Sequence, residues 1–175
     1  TIALEVASMA DQNEIPMVLA FLENLTLDKS LPPEELVEAC HKIQESKLTQ
    51  EGKKDPRFII PVVASMKRFH LVEKLPEFMA ADDNIFMAAL VRMGDRVTRQ
   101  ALLFRDEPDH EIPILTGMTL CEQLVFLHRM DFIAVGIPQK RYLTAIRNCL
   151  EDDTVFTDRV VMAAMDYISG VFLSE

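Results

Sequence analysis

The stretch KDPRFIIPVV, residues 54–63, decides how this chain is read. Phe58 to Val63 looks like a buried strand, yet Pro61 sits in its middle. Asp55 is a favourable N-cap and Pro56 a favourable first helical residue, so the residues predict a helix starting there. Pro61 lies beyond the first turn and deletes the hydrogen bond that its N–H would give the Arg57 carbonyl. A kink is expected at Pro61, at a cost of about 3 kcal/mol if tertiary packing does not compensate. Val62, Val63 and Met66 continue the buried surface past the bend. A strand remains open only if Ile60, pushed towards extended geometry by Pro61, starts a break. Pro76 in LPEFM, residues 75–79, repeats the device in the next helix. Two proline-bent neighbours imply a curved helical stack, with the bend at Pro61 either following that curvature or shaping a partner groove.

Helical periodicity extends outward on both sides. Ile2, Val6 and Met9 fit a first helix, and Ile15, Val18, Leu19 and Leu22 a fuller stripe behind Pro16. Leu36, Ala39, Cys40 and Ile43 repeat it, as do Phe86, Ala89, Leu90 and Met93 with Asp82 or Asp83 as N-cap and Gly94 as terminator. Thr119-x-x-Glu122 is a capping box that opens a helix to about Met130. Tyr142, Ala145, Ile146 and Cys149 form the next stripe. Val161, Ala164, Met165 and Ile168 form the last, with Thr157 as N-cap. Predicted helix starts fall near residues 14, 33, 55, 70, 83, 119, 138 and 157. Pairing them at roughly 35–40 residues gives the spacing of HEAT or armadillo units. The fold class expected is all-α, a HEAT/ARM-like α-solenoid of antiparallel helix pairs over 1–175. Its one irregular region is the variable loop 94–118, with a short helix around Val97–Phe104 and an acidic stretch at 105–111.

Composition agrees with helix-on-helix packing. Hydrophobic residues make up 49% but aromatics only 7%, with 10 Met and no Trp, so aliphatic and thioether side chains must fill the core. Five Gly are few for a turn-rich β protein. The formal charge of −10 repels phosphate backbones and anionic lipid, so no direct nucleic-acid contact is expected. No run approaches the ~18 apolar residues of a membrane span. No secretory leader pattern is visible. The chain opens on Thr in mid-pattern, as a domain of a longer protein would.

Several residue groups invite a chemical reading. Cys121 and His128 stand two turns apart on one predicted helix, about 10 Å, too far for shared metal ligation. Cys40 and His41 are adjacent, point about 100° apart and lack a third orienting residue. His110 sits among Asp106, Glu107, Asp109 and Glu111 without the Gly or spacing of a calcium loop. Glu151, Asp152 and Asp153 oppose a helix macrodipole, so they either lie outside the helix or are offset by a base. Met87, Met93, Met118, Met130, Met162 and Met165 fit core phases, and any exposed remainder would suit a groove for a partner helix. No catalytic residue, cofactor or metal is expected.

In order and spacing, DPRFIIPVV (55–63), EKLP (73–76), MTLCE (118–122), LHRMD (127–131), AIRNC (145–149) and VFT (155–157) resemble the symplekin C-terminal domain family. The loop at 94–118 departs in detail. The resemblance implies a C-terminal fragment of a nuclear scaffold of pre-mRNA 3′-end processing. It implies an α-solenoid that holds the C-terminal regions of the cleavage endonuclease subunit and its inactive paralogue, alongside other processing factors, for polyadenylated and histone mRNA alike. It implies no chemistry of its own. An unrelated helical-repeat adaptor, as in trafficking or transport, would share the fold and charge without that affinity. Residues chosen from predicted exposure as partner contacts are Arg57, Lys67, Arg68, Arg141, Glu151, Asp152 and Asp153.

Overall fold

The computed structural model describes residues 13–27, 31–47, 52–94, 100, 102 and 114–172. They form seven α-helices, with no β-strand among the described residues. The helices are α1 (Ile15–Thr26), α2 (Glu34–Ser46), α3 (Arg68–Ala80), α4 (Asp83–Gly94), α5 (Leu120–Arg129), α6 (Gln139–Glu151) and α7 (Asp158–Phe172). Each begins within about two residues of its predicted start. The helix expected at Ile2–Met9 lies outside the described residues, and so does nearly all of the one at 97–104.

The segment after Asp55 is helical but not α-helical, which corrects the expectation of one kinked α-helix. Two 3₁₀ segments, Pro56–Phe58 and Ile60–Ser65, take its place. Asp55 caps the first as expected, its Oδ1 accepting from the Arg57 N–H at 3.0 Å. Because Pro61 has no N–H to offer the Arg57 carbonyl, the chain tightens to i→i+3 bonds. Ile59 N–H donates to Pro56 O at 3.1 Å and Val62 N–H to Ile59 O at 3.0 Å. Pro61 thus falls in the first turn of the second segment, where a missing donor costs nothing. The tighter winding also accounts for the unbroken apolar run. Phe58, Ile59, Val62, Val63 and Ala64 are all fully buried, on a rod packed by α1, α2 and α4. Pro76 lies inside α3, which continues through it to Ala80.

At the centre, α4 packs on the second 3₁₀ segment, α3, α5 and α6. One apolar cluster runs from Ile15 on α1 to Ala164 on α7. Residues 114–118 turn back onto the end of α4, where Gly117 N–H donates to Met93 O at 2.9 Å. Leu115 is fully buried at φ 69°, an unusual left-handed conformation for Leu that costs on the order of 1–2 kcal/mol and persists because packing dictates it. Gly117 sits at φ +77°, which favours glycine, and a Cβ there would lie 2.6 Å from Leu102 Cδ1, so that side chain would have to turn aside. Gln123 of α5 is completely buried and locks the junction: its Nε2 donates to Leu90 O at 3.0 Å and to Leu115 O at 3.1 Å. The capping box that opens α5 is complete, with Glu122 N–H donating to Thr119 Oγ1 (3.2 Å) and Thr119 N–H to Glu122 Oε2 (2.7 Å).

Candidate partner-binding surfaces

The charged residues chosen from sequence are all at the surface, but several already have partners. Arg57 lies against buried Asp55, with Nη2 2.6 Å from Oδ2 and Nε 3.0 Å from both carboxylate oxygens. That contact raises the Arg57 pKa further, through the hydrogen bond first and the charge second. Lys67 stands 3.4 Å from Glu34, and Arg68 follows it exposed at the first residue of α3. Arg141 is exposed in the first turn of α6. Glu151 ends that helix, paired with Arg147 at 2.6 Å, and Asp152 is its C-cap. Asp152 Oδ1 accepts from the Thr154 N–H (3.0 Å) and hydroxyl (2.5 Å), which holds its carboxyl below the ordinary aspartate value. Both sequence alternatives for the acidic trio therefore operate: Glu151 is offset by a base, and Asp153 lies outside the helix. Arg141 and the trio are at opposite ends of α6, about 15 Å apart along its axis. They make two surfaces, not one.

Two grooves provide the concave surfaces. One, of about 700 Å³, runs between α1, the second 3₁₀ segment, α4 and Val155. Leu27, Ile60, Pro61, Met87, Ala88 and Val91 make it apolar, with Glu23, Asn84 and Arg92 at its polar edge. Arg92 Nη2 donates to Thr26 O at 2.7 Å, which closes one end by tying α4 to the last turn of α1. Leu27 (62%) and Val91 (41%) are unusually exposed for their size. The other groove, of about 680 Å³, lies between α5 and α7 and is lined by Met118, Cys121, Val125, Phe126 and Met130. At its rim the Arg129 guanidinium sits 5.7 Å from the centre of the Tyr167 ring.

None of the seven charged candidates lines either groove. The methionines divide three ways. Met87 and Met93 are buried, Met87 also edging the α1–α4 groove, Met118 and Met130 form the wall of the other groove, and Met162 and Met165, expected in core phases, are instead exposed on α7. Sequence reasoning overlooked Leu27 and Val91, although both are large apolar residues outside the buried phase of their helices.

The other groups are placed as follows. Cys121 is half-buried and His128 exposed in the last turn of α5. The acidic stretch with His110 lies outside the described residues. Among the described residues, no three His, Cys, Asp or Glu side chains converge as metal ligands, and no helix is long and apolar enough to cross a membrane. Burial pushes the Cys40 thiol up to about 12, so it is no nucleophile at neutral pH. His41 is held below the ordinary histidine value, by burial first and then by the nearby positive charges of Lys74 and His70. Its buried Nε2 has no hydrogen-bond partner among the described residues.

A depressed histidine gives a definite pH dependence. Below the unfolded value of about 6.5 the unfolded chain takes up a proton that the folded chain resists. The contribution is thus present above that pH and lost as the pH falls through it towards the lowered folded value. Urea melts between neutral pH and pH about 5 should show His41→Gln losing less stability than the parent chain across this window. Parallel pH profiles for the two would refute the assignment.

A family model described as "Symplekin tight junction protein C terminal" matches residues 55–172. No curated protein and no solved structure matches the chain. The match spans the 3₁₀ segments and α3 to α7. It includes the whole lining of the α1–α4 groove except Glu23, Thr26 and Leu27.

Proposed function

Because the chain belongs to the symplekin C-terminal family, we propose that it is a non-catalytic scaffold holding the C-terminal regions of the cleavage endonuclease subunit and its inactive paralogue. At the coarse level the family is one of scaffold domains in pre-mRNA 3′-end processing. The finer reading adds the two named partners, service to histone as well as polyadenylated mRNA, and the nuclear address such work requires. The observation that carries it is the family match over residues 55–172. The α1–α4 groove supplies a physical means: a preformed apolar channel floored by Ile60 and Pro61, with adaptable Met87 in its wall, suits apolar anchors from a partner helix or extended segment. The net charge of −10 favours partners with basic flanks.

Co-purification with C-terminal fragments of both subunits tests the assignment. Ala88→Arg places a long cation in the groove from an exposed position and leaves the core untouched. It should weaken capture at least about tenfold, or ~1.4 kcal/mol. Failure of both fragments to bind the folded parent chain would sink the endonuclease reading and leave a transport or trafficking adaptor as its rival. Undiminished binding by Ala88→Arg would move the contact elsewhere.

The overall arrangement proposed is a HEAT-like stack of antiparallel helix pairs over 1–175, motivated by the 35–40-residue spacing of helix pairs. Small-angle scattering discriminates. A compact globule of this length has a radius of gyration near ~16 Å, and a curved stack must exceed it.

A further inference from the structure

Helix α5 uses one face for the core and a second for the groove beside α7. Leu124 and Leu127 are buried in the central cluster. Cys121, Val125, Phe126 and Arg129 fall on the other face and line the groove, which Met118 and Met130 continue at either end of the helix. Its volume of about 680 Å³ and mainly apolar lining are those of a site that encloses a ligand group.

Two polar groups of this lining are left without the partner each calls for. The Arg129 guanidinium stands over the Tyr167 ring, 5.7 Å from its centre, and pairs with no carboxylate among the described residues. Held against a ring face, a guanidinium keeps its fork of N–H groups for an anion. Thr116 is only 6% exposed, and its Oγ1 has no hydrogen-bond partner among the described residues. Such a burial costs stability until a partner is supplied. Glu122, two turns from Arg129 and about 10 Å away along α5, is already engaged by the Thr119 N–H and hydroxyl. The groove therefore offers apolar walls, one unopposed positive charge and one orphan hydroxyl.

We infer that the α5–α7 groove binds a peptide segment of a partner protein, seating a large apolar side chain among Met118, Val125, Phe126 and Met130. An Asp or Glu of that segment, within about one helical turn of the anchor, pairs with Arg129. A single guanidinium selects a carboxylate, since a phosphate carries nearly two charges and is met by clustered cations. A peptide is favoured over a free apolar acid because its backbone also supplies the hydrogen bond that Thr116 lacks. The chain's charge of −10 repels acidic runs at long range, so the carboxylate stands in otherwise neutral or basic surroundings. The α1–α4 groove shares no residue with this one, so the inference does not depend on the partner assignment above.

Cys121 is a built-in reporter of occupancy, because Cys40 and Cys149 are buried. A displayed library of random peptides about twelve residues long, some three helical turns, is selected on the whole chain. It should enrich sequences with an acidic residue within about one turn of a large apolar one. Synthetic copies should slow the alkylation of Cys121 by iodoacetamide. Arg129→Glu, at an exposed position, should leave the circular-dichroism melt unchanged and weaken these peptides about tenfold or more. Exchanging the peptide's acidic residue for Lys should recover binding to that variant. Thr116→Val removes the unpaired hydroxyl, so it should hold or raise the melt while weakening the peptides several-fold.

Protecting peptides that lack an acid, or that bind Arg129→Glu undiminished, overturn the inference, and so does a library that yields none protecting Cys121. Indifference to Thr116→Val overturns the hydroxyl contact. Protection by decanoate and by no peptide would assign the groove to a free acid and refute the peptide. A parent chain that dimerises in sedimentation velocity, and is monomeric as Arg129→Glu, would assign it to a second copy and likewise refute the inference.

Discussion

Phe58→Ala is expected to lower the unfolding free energy by about 3–5 kcal/mol, among the largest effects any single truncation can have in this chain. Phe58 is wholly buried at the end of the first 3₁₀ segment, which packs against α1, α2 and the second segment. Removing the ring forfeits its transfer free energy and leaves a cavity. The neighbours are poorly able to close it, because Pro56 and Pro61 hold the backbone on either side and Asp55 fixes its start. For a chain of this size the loss corresponds to about 6–20 °C in Tm. In urea the midpoint should fall with little change of slope, since the surface exposed on unfolding is nearly the same. Phe58→Leu should cost less than half as much. Equal effects from the two would mean that the ring is not filling the space between α1 and α2.

Gln123→Glu exchanges one amide nitrogen for oxygen and should be nearly as damaging at neutral pH, at about 3–5 kcal/mol. The amide donates to the Leu90 and Leu115 carbonyls from a site with no solvent exposure. A carboxylate there turns two attractions into two repulsions and buries a charge without a counter-ion. The penalty should shrink on acidification. Burial raises the introduced carboxyl above the unfolded value of about 4.3, so the charge part of the penalty builds as pH rises from there and is absent below it, leaving the loss of one of the two donated bonds. Gln123→Leu removes the two bonds without adding charge and should cost less, about 1–3 kcal/mol. Melts of the three chains at neutral pH and at pH about 4.5 give the comparison. A pH-independent loss in Gln123→Glu would show that the side chain escapes to water.

The helices were legible chiefly from their apolar stripes, with a side-chain cap agreeing at two, Thr119 with Glu122 before Leu124 and Leu127 and Asp82 before Phe86 and Leu90, while α1, α2, α3 and α6 start without one. At residues 56–65 the same logic located the element and mistook its kind. Asp55–Pro56 starts α- and 3₁₀-helices equally well; the missing Pro61 N–H removes one α-helical bond, and burial on several sides, which only tertiary contact can supply, holds the tighter form through to Ser65. Gln123 was missed although it left a trace, as a polar residue on the apolar phase of Leu120, Leu124 and Leu127. The engagement of Glu151 was also readable, as an i,i+4 partner of Arg147. The α1–α4 groove was not, because Leu27 and Val91 are brought together by folding across the intervening helices.

Tyr142 has an optical consequence. The chain has no Trp and two Tyr, one of them exposed at Tyr167. Tyr142 is buried, stacks on Phe132 with ring centres 4.5 Å apart and planes 16° from parallel, and donates its hydroxyl hydrogen bond to Leu127 O. Burial also raises its pKa, so this phenol keeps its proton into alkaline solution. A ring so fixed in an asymmetric setting dominates near-ultraviolet circular dichroism. The native chain thus carries a built-in chromophore at the α5–α6 corner, one that reports loss of tertiary packing there.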